Sequence, residues 1–145
     1  MTKRLVILAL AAITFAVAPQ ALKAADDDAL CPRGNETLHG SYMSIATGTI
    51  VGVGPITAVG RGDYDGKGNV FNPYTASVNG MIHTGTEIGT YMVNSDCTGS
   101  ETATDGAHYN FVVAPDGSKF DWISTTSGQV FSGTAIRLTR RHEDD

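Results

Sequence analysis

Residues Phe111–Leu138 read FVVAPDGSKFDWISTTSGQVFSGTAIRL, three short runs of strand-forming residues separated by two turns. The first turn, Ala114–Ser118, has the composition of a type I turn closed by a glycine bulge. The second turn, Ser127-Gly128, suits a two-residue hairpin. Because aromatic and β-branched residues fill the runs between these turns, the stretch predicts two consecutive antiparallel hairpins.

The same alternation of β-formers and turn residues continues through most of the chain, which contains 17 glycines and no convincing helical period. The predicted strands are near 40–47, 56–65, 69–79, 87–94, 100–104, 108–114, 119–125 and 129–138. Consecutive hairpins form a meander, and closing it removes exposed edges. We therefore predict an all-β fold, a single antiparallel up-and-down β-barrel of about eight strands, with a β-sandwich as the alternative.

The turns also predict which residues face each other, if Ala114 lies opposite Ser118 and Thr126 opposite Gln129. The resulting pairs are Val112–Phe120, Asn110–Trp122, Trp122–Gly133 and Phe120–Ala135. The hairpin at Asp65 gives the further pairs Tyr64–Val70 and Gly60–Tyr74. Glycines thus stand beside aromatic rings and make room for them in a barrel interior. Since side chains alternate between faces, a register shifted by one residue would invert the assignment.

This register divides the side chains between the two faces. The predicted interior side chains are Tyr64, Tyr74, Val112, Phe120, Trp122 and Phe131, with His108 and Arg137 on the same side. The predicted outer side chains are Tyr109, Phe111, Lys119, Asp121 and Ile123. An outer face that carries both charges and rings has two interpretations, a subunit interface of a homo-oligomer or a wrong register.

The first 24 residues have the order of a secretory signal peptide: Lys3 and Arg4, an apolar run, then small residues up to Ala24. The apolar run is shorter than the roughly 20 residues of a membrane span. We expect cleavage after Ala24, with Ala25 as the second choice, and a β-barrel domain over 25–145 in the periplasm or outside the cell. No membrane span is expected after cleavage.

Cleavage there leaves seven basic and fifteen acidic residues, a net charge of −8. A surface of this charge repels phosphate backbones, so the sequence predicts no nucleic-acid partner.

Two cysteines, Cys31 and Cys97, are present. Outside the cytoplasm two thiols tend to oxidise, so we predict a disulfide that ties the start of the mature chain to a hairpin tip. The alternative, a redox-active pair, lacks the Cys-x-x-Cys spacing.

Several stretches together resemble a group of small exported bacterial proteins of unknown function: LHGSYMS, GRGDYDGKGNV, IGTYMVNSDCTGS, FVVAPDGSKFDWI and SGTAIRL. The shared positions are Cys31, Tyr42, Asp65, Gly66, Gly68, Gly89, Tyr91, Cys97, Gly99, Gly133 and Arg137. The resemblance implies a barrel similar to the calycins, which are lipocalin-like, or to allene oxide cyclase. It implies no function, because these residues are structural in kind.

Motifs for chemistry are sparse. The chain has no Gly-x-Ser-x-Gly elbow and no phosphate-binding loop. Its histidines, His39, His83, His108 and His142, lack metal-ligand spacing, and 63–69 is interpreted as a hairpin turn instead of a calcium loop. We therefore predict no metal and no cofactor. Nothing in the sequence places any two of Asp63, Asp96, Asp105 and Asp121 across a cleft.

The aromatic residues give the main functional hypothesis, a non-enzymatic barrel that binds a small hydrophobic ligand in its interior. The predicted ligand-binding residues are Trp122, Phe120, Tyr74, Phe131, Arg137 and His108. Arg137 would meet a ligand carboxylate or pack its guanidinium on Trp122.

Two alternatives stay open. One is a cyclase or isomerase type of enzyme, which works by holding a flexible apolar substrate in a chosen shape. The other is a structural or interaction protein with a filled core, since an eight-stranded barrel is just wide enough for its side chains to fill.

Overall fold

The computed structural model describes residues 29–139, and the predicted signal peptide lies outside that range. The described chain is one closed antiparallel barrel in which each strand pairs with its sequence neighbours and β8 returns to β1. The strands are β1 (His39–Ile50), β2 (Gly54–Asp65), β3 (Asn69–Val78), β4 (Met81–Val93), β5 (Thr98–Ala103), β6 (His108–Val113), β7 (Lys119–Ser124) and β8 (Gln129–Arg137). The predicted all-β, eight-stranded up-and-down barrel is confirmed.

A short 3₁₀ turn, η1 (Gly34–Thr37), precedes the first strand. No helix within residues 29–139 has the length and hydropathy needed to cross a membrane.

The two ends of the barrel differ. We call the end with turns 66–68, 94–97 and 114–118 the closed end, because η1 contacts β4 and the 114–118 turn there. The opposite end, with turns 51–53, 79–80, 104–107 and 125–128, is the open end. Strand β4 pairs with β5 only from Gly89 onward, so its first half extends past β5 toward the open end.

Glycines make room for rings in the barrel, as predicted. Gly133 lies opposite Trp122 and Gly60 opposite Tyr74. A Cβ at position 133 would stand 2.6 Å from the Trp122 ring, closer than real side chains pack. These small residues therefore set where each ring lies in the interior.

The predicted register of β6 is wrong by one residue. Phe111, not Asn110, lies opposite Trp122, and Val113, not Val112, lies opposite Phe120. Phe111 is 4% exposed in the interior, whereas Val112 is 59% exposed on the outside. The predicted outer face around Tyr109 and Phe111 is therefore wrong as well, since β6 turns both rings inward.

The turn explains this difference. The backbone N–H and the hydroxyl of Ser118 both donate to the Asp116 carboxylate. The Ser118 carbonyl accepts a hydrogen bond from the N–H of Arg137 on β8. Ser118 is therefore engaged with β8 and does not pair with β6. Ala114 pairs with Lys119 instead, which lengthens the loop by one residue and inverts every side chain of β6.

The closed half of the barrel is filled by aromatic rings. Tyr64 packs edge-on against both Tyr42 and Tyr91, with ring centroids 5.4 and 5.0 Å apart. Phe120 packs against Tyr42, Tyr64 and Phe111 at 5.5–5.6 Å. Separations of this size are favourable for aromatic pairs, so the rings form a continuous core.

The segment before β1 caps this core. Leu38 is fully buried, and its carbonyl accepts a 2.7 Å hydrogen bond from the Tyr91 hydroxyl. The Arg137 guanidinium donates to the Thr37 carbonyl and to the Tyr42 hydroxyl, at 3.1 and 2.9 Å. Burial raises the pKa of Tyr91 to about 12, so this hydroxyl stays a donor at neutral pH.

Cys31 and Cys97 form the predicted disulfide, which is confirmed and closes a sequence separation of 66 residues. Both cysteines are buried among the core residues of the closed half. The bond holds the cap against the β4–β5 turn.

Replacing both cysteines by alanine should lower the free energy of unfolding by about 4 kcal/mol, because the unfolded chain regains the entropy of an open loop. Urea unfolding followed by Trp122 fluorescence measures the change. Reducing agent added to the unchanged protein should produce a loss of similar size. Equal unfolding midpoints for the double variant and the unchanged oxidised protein would contradict the expectation.

Candidate functional site

The open half of the barrel contains a cavity of about 370 Å³. Its space comes from a row of alanines that face each other across three strands: Ala46 on β1, Ala58 on β2 and Ala76 on β3. Gly133 continues the row on β8 and lies opposite Trp122. Small side chains at these inward positions leave the volume that rings occupy in the closed half.

Four predicted ligand-binding residues line this cavity: Trp122, Phe120, Tyr74 and Phe131. The Trp122 ring packs edge-on against Phe131 and Tyr109, with centroids 6.0 and 5.3 Å apart. Trp122 is therefore held from two sides in one orientation in the cavity wall.

The other two predicted ligand-binding residues lie elsewhere. Arg137 belongs to the closed end, where its guanidinium lies 5.5 Å from the Tyr42 ring centroid, and it does not line the cavity. Its partner ring is thus Tyr42 instead of the expected Trp122. His108 is exposed on the outer surface, where its Nδ1 lies 3.1 Å from the Thr102 hydroxyl. The inverted β6 explains the placement of His108, because its neighbour Tyr109 takes the inward position.

Several apolar side chains are exposed at the open end. Val51, Val53, Met81, Ile82 and Val130 belong to its turns and strand ends, and all are largely exposed.

Two glutamates that the sequence analysis did not select, Glu87 and Glu101, line the same cavity. The Tyr109 hydroxyl donates to Glu87 Oε2 at 2.8 Å, and the Tyr64 hydroxyl donates to Glu101 Oε2 at 2.9 Å. Glu101 lies opposite Tyr109 in the register of β5 and β6, so the tyrosine that donates to Glu87 also lies beside Glu101. We call Glu87 and Glu101 the carboxyl pair.

The carboxyl pair retains a proton at neutral pH. Burial, together with the negative charge of Glu87, raises the pKa of Glu101 from 4.5 to about 8. Burial also raises the pKa of Glu87. Glu101 is only 7% exposed, so little water reaches its charge. Two adjacent buried carboxyl groups do not both ionise easily, and the pair therefore shares a proton.

Burial and the nearby glutamates also raise the pKa values of Tyr64 and Tyr109 above their ordinary value of 10. Both phenols stay protonated at neutral pH and remain donors to the carboxyl pair.

The described cavity lining carries three carboxyl groups, those of Glu87, Glu101 and Asp105, and no lysine or arginine. Asn72 lies opposite Glu87 on the neighbouring strand and also lines the cavity. Its side-chain oxygen is buried without a hydrogen-bond partner, which is uncommon for a buried polar atom. The polar part of the cavity is thus acidic and rich in acceptors.

No group of three or more His, Cys, Asp or Glu side chains within residues 29–139 is arranged to hold a metal ion.

Side-chain alternation would have identified the carboxyl pair. On β4, Glu87 has the parity of Gly89 and Tyr91, the interior residues of the Gly-Thr-Tyr stretch. On β5, Glu101 has the parity of Gly99 and Ala103. Of the four aspartates named above, Asp96 and Asp105 lie in turns, and Asp63 and Asp121 lie on the outer face.

Among the comparisons with known proteins, similarity is found only to solved structures. No protein-family model matches the chain, and no curated protein matches it. Among solved structures, a redesigned β-barrel, mFAP1, bound to DFHBI has a TM-score of 0.46 and 23% identity, with 72% of this chain and 99% of that chain covered. The S-type phycobiliprotein lyase CPES from Guillardia theta has a TM-score of 0.45 and 9% identity, with 74% of this chain and 92% of that chain covered. At these identities, what those proteins bind does not transfer to this chain.

The free energy of unfolding should fall as the pH rises from about 5 to about 9. The folded protein binds the proton of Glu101 more tightly than the unfolded chain does, so raising the pH through the folded pKa removes a stabilisation of a few kcal/mol. Thermal unfolding across this range measures the slope.

The variant Glu101→Gln should flatten that slope, and Glu36→Gln, which changes an exposed glutamate of η1, should leave it intact. A melting temperature that stays level or rises over this range in the unchanged protein would show that the carboxyl pair is not protonated.

Proposed function

We propose that the barrel binds a small, largely apolar molecule in the cavity of its open half and performs no chemistry on it. The observation that carries this proposal is the hollow of about 370 Å³ between the alanine row and the Trp122 ring. A volume of this size lies within the range of small-molecule sites. An eight-stranded barrel selected only for stability would fill its interior with side chains, as the closed half does.

The chemistry of the lining supports a ligand that is mostly apolar with one polar end. Rings and alanines form the apolar part of the lining, and the carboxyl pair and Asn72 add polar groups to it. Sites for small molecules commonly combine an apolar wall with a few convergent polar groups that fix orientation.

The place of action that we propose is the periplasm or the cell exterior, after removal of residues 1–24. The Cys31–Cys97 bond supports this proposal, because buried structural disulfides persist in oxidising compartments.

The carboxyl pair favours one second candidate, an isomerase or cyclase type of enzyme. A carboxyl group that keeps its proton at neutral pH can act as a general acid toward a bound substrate. Recovery of a bound molecule chemically unchanged after prolonged incubation, by mass spectrometry and chromatography, would support the non-enzymatic function. Conversion to an isomer would support the enzyme.

Filling the cavity should abolish binding. Ala58→Phe places a ring in the centre of the alanine row and should weaken binding of the neutral fluorescent probe N-phenyl-naphthylamine by about tenfold or more. Titration followed by probe fluorescence measures the affinity.

Thr57→Phe is the matched control, because the preceding residue on the same strand is exposed on the outer face and does not line the cavity. It should bind the probe as the unchanged protein does. If both variants and the unchanged protein bind equally, the probe lies outside the barrel and the proposal is wrong.

A further inference from the structure

We propose that the ligand of this cavity carries a basic nitrogen, a primary or secondary amine on an apolar body, and that the ammonium group binds between the carboxyl groups of Glu87 and Glu101. This inference rests on the proposed function and specifies the chemistry of the ligand in the same cavity.

The hydrogen bonds of the carboxyl pair leave room for one shared donor. Each glutamate already uses its Oε2 to accept a tyrosine hydroxyl, from Tyr109 for Glu87 and from Tyr64 for Glu101. The remaining carboxyl oxygens hold the one proton that the raised pKa of Glu101 indicates at neutral pH. An ammonium group has up to three N–H donors and no acceptor, so it can replace that proton and donate to both glutamates at once.

Asn72 adds an independent acceptor. Its side-chain oxygen is buried and unpartnered, and it lies beside Gly60 of β2, while the strand position of Asn72 is opposite Glu87 of β4. The nearby tyrosine hydroxyls are already used as donors to the glutamates. The polar groups therefore lack a further donor, which is what an ammonium head supplies.

Charge favours an amine over an acid. The described cavity lining has three carboxyl groups, one imidazole, that of His83, and no lysine or arginine, so a ligand carboxylate placed at the carboxyl pair would meet like charge. Arg137, the cation expected to meet such a carboxylate, lies under Tyr42 at the closed end and is engaged with Thr37.

The exchange conserves charge in the buried site. Before binding, the pair carries one proton and a net charge of −1. After binding, two carboxylates and one ammonium again carry −1, and the displaced proton leaves to solvent. The groups that face the pair are Tyr109 and Asp105 beside Glu87, and Tyr64 beside Glu101. The site thus gains a charged partner without burying additional net charge.

The apolar body has a defined place as well. The Tyr109 ring packs edge-on against Trp122, and the Tyr109 hydroxyl contacts Glu87. An ammonium at the carboxyl pair therefore places the rest of the ligand beside Trp122 and the alanine row.

Three naphthalene compounds that differ only in the head group test the inference: naphthylmethylamine, naphthalenemethanol and naphthoic acid. Isothermal titration calorimetry at neutral pH, in two buffers with different ionisation enthalpies, measures affinity and proton release for each. The amine should bind about tenfold or more tighter than the alcohol, and its binding should release a proton. The acid should bind with the lowest affinity of the three. In Glu101→Gln and Glu87→Gln the preference for the amine should disappear while the alcohol still binds, which shows that the cavity is intact.

Each other outcome is decisive. Binding of the acid as tight as that of the amine, or an amine preference that survives both glutamine variants, overturns the inference and leaves the proposed function standing. Amine binding without proton release overturns exchange of the shared proton. Failure of all three compounds and of N-phenyl-naphthylamine to bind overturns the proposed function itself.

Discussion

The volume available inside an eight-stranded barrel is the constraint on which this structure depends. Such a barrel holds only a limited set of inward side chains, so every ring needs a small residue opposite it. Gly133 lies opposite Trp122, Gly60 lies opposite Tyr74, and Gly99 lies against Phe111. Where rings from several strands meet, the interior is full and closed. Where Ala46, Ala58 and Ala76 lie side by side with no ring between them, the interior is hollow.

Most of the fold follows from local patterns in the sequence, but the register of β6 does not. Turn chemistry and alternation were sufficient to predict eight antiparallel strands, the closed barrel and the Gly133–Trp122 contact. The β6 register did not follow, because it depends on which partner takes the Ser118 carbonyl, and that partner is Arg137 from β8. A competition of this kind between strands that are distant in sequence leaves no mark on the turn itself. Because the register differs by one residue, Phe111 lies in the interior instead of Val112.

The apolar lining of the cavity was predictable from the sequence, and its polar groups were not. Aromatic residues are candidates for an apolar interior by their residue type alone. Trp122, Tyr74, Phe120 and Phe131 could therefore be selected from the sequence. Glu87 and Glu101 are ordinary surface residues by type, and only their parity with Gly89 and Gly99 indicates the interior. The register of β4 and β5 places Glu101 opposite Tyr91 and not opposite Glu87. The proximity of the two glutamates therefore depends on how the closed barrel brings their side chains together. Which carboxyl groups share a proton therefore depends on shear and twist, which the sequence pattern does not encode.

The cavity and the carboxyl pair both cost stability, and they occur in the same half of the barrel. An unfilled volume forgoes packing contacts, and buried carboxyl groups forgo hydration. Apolar side chains at positions 87 and 101 with larger ones at 46, 58 and 76 would remove both costs without changing the fold. The closed half shows that this chain is able to fill its interior, and the Cys31–Cys97 bond strengthens that half further. A stable end opposite a hollow, acidic end is the arrangement expected when a rigid base supports a binding site, because departures from optimal packing concentrate where function requires them.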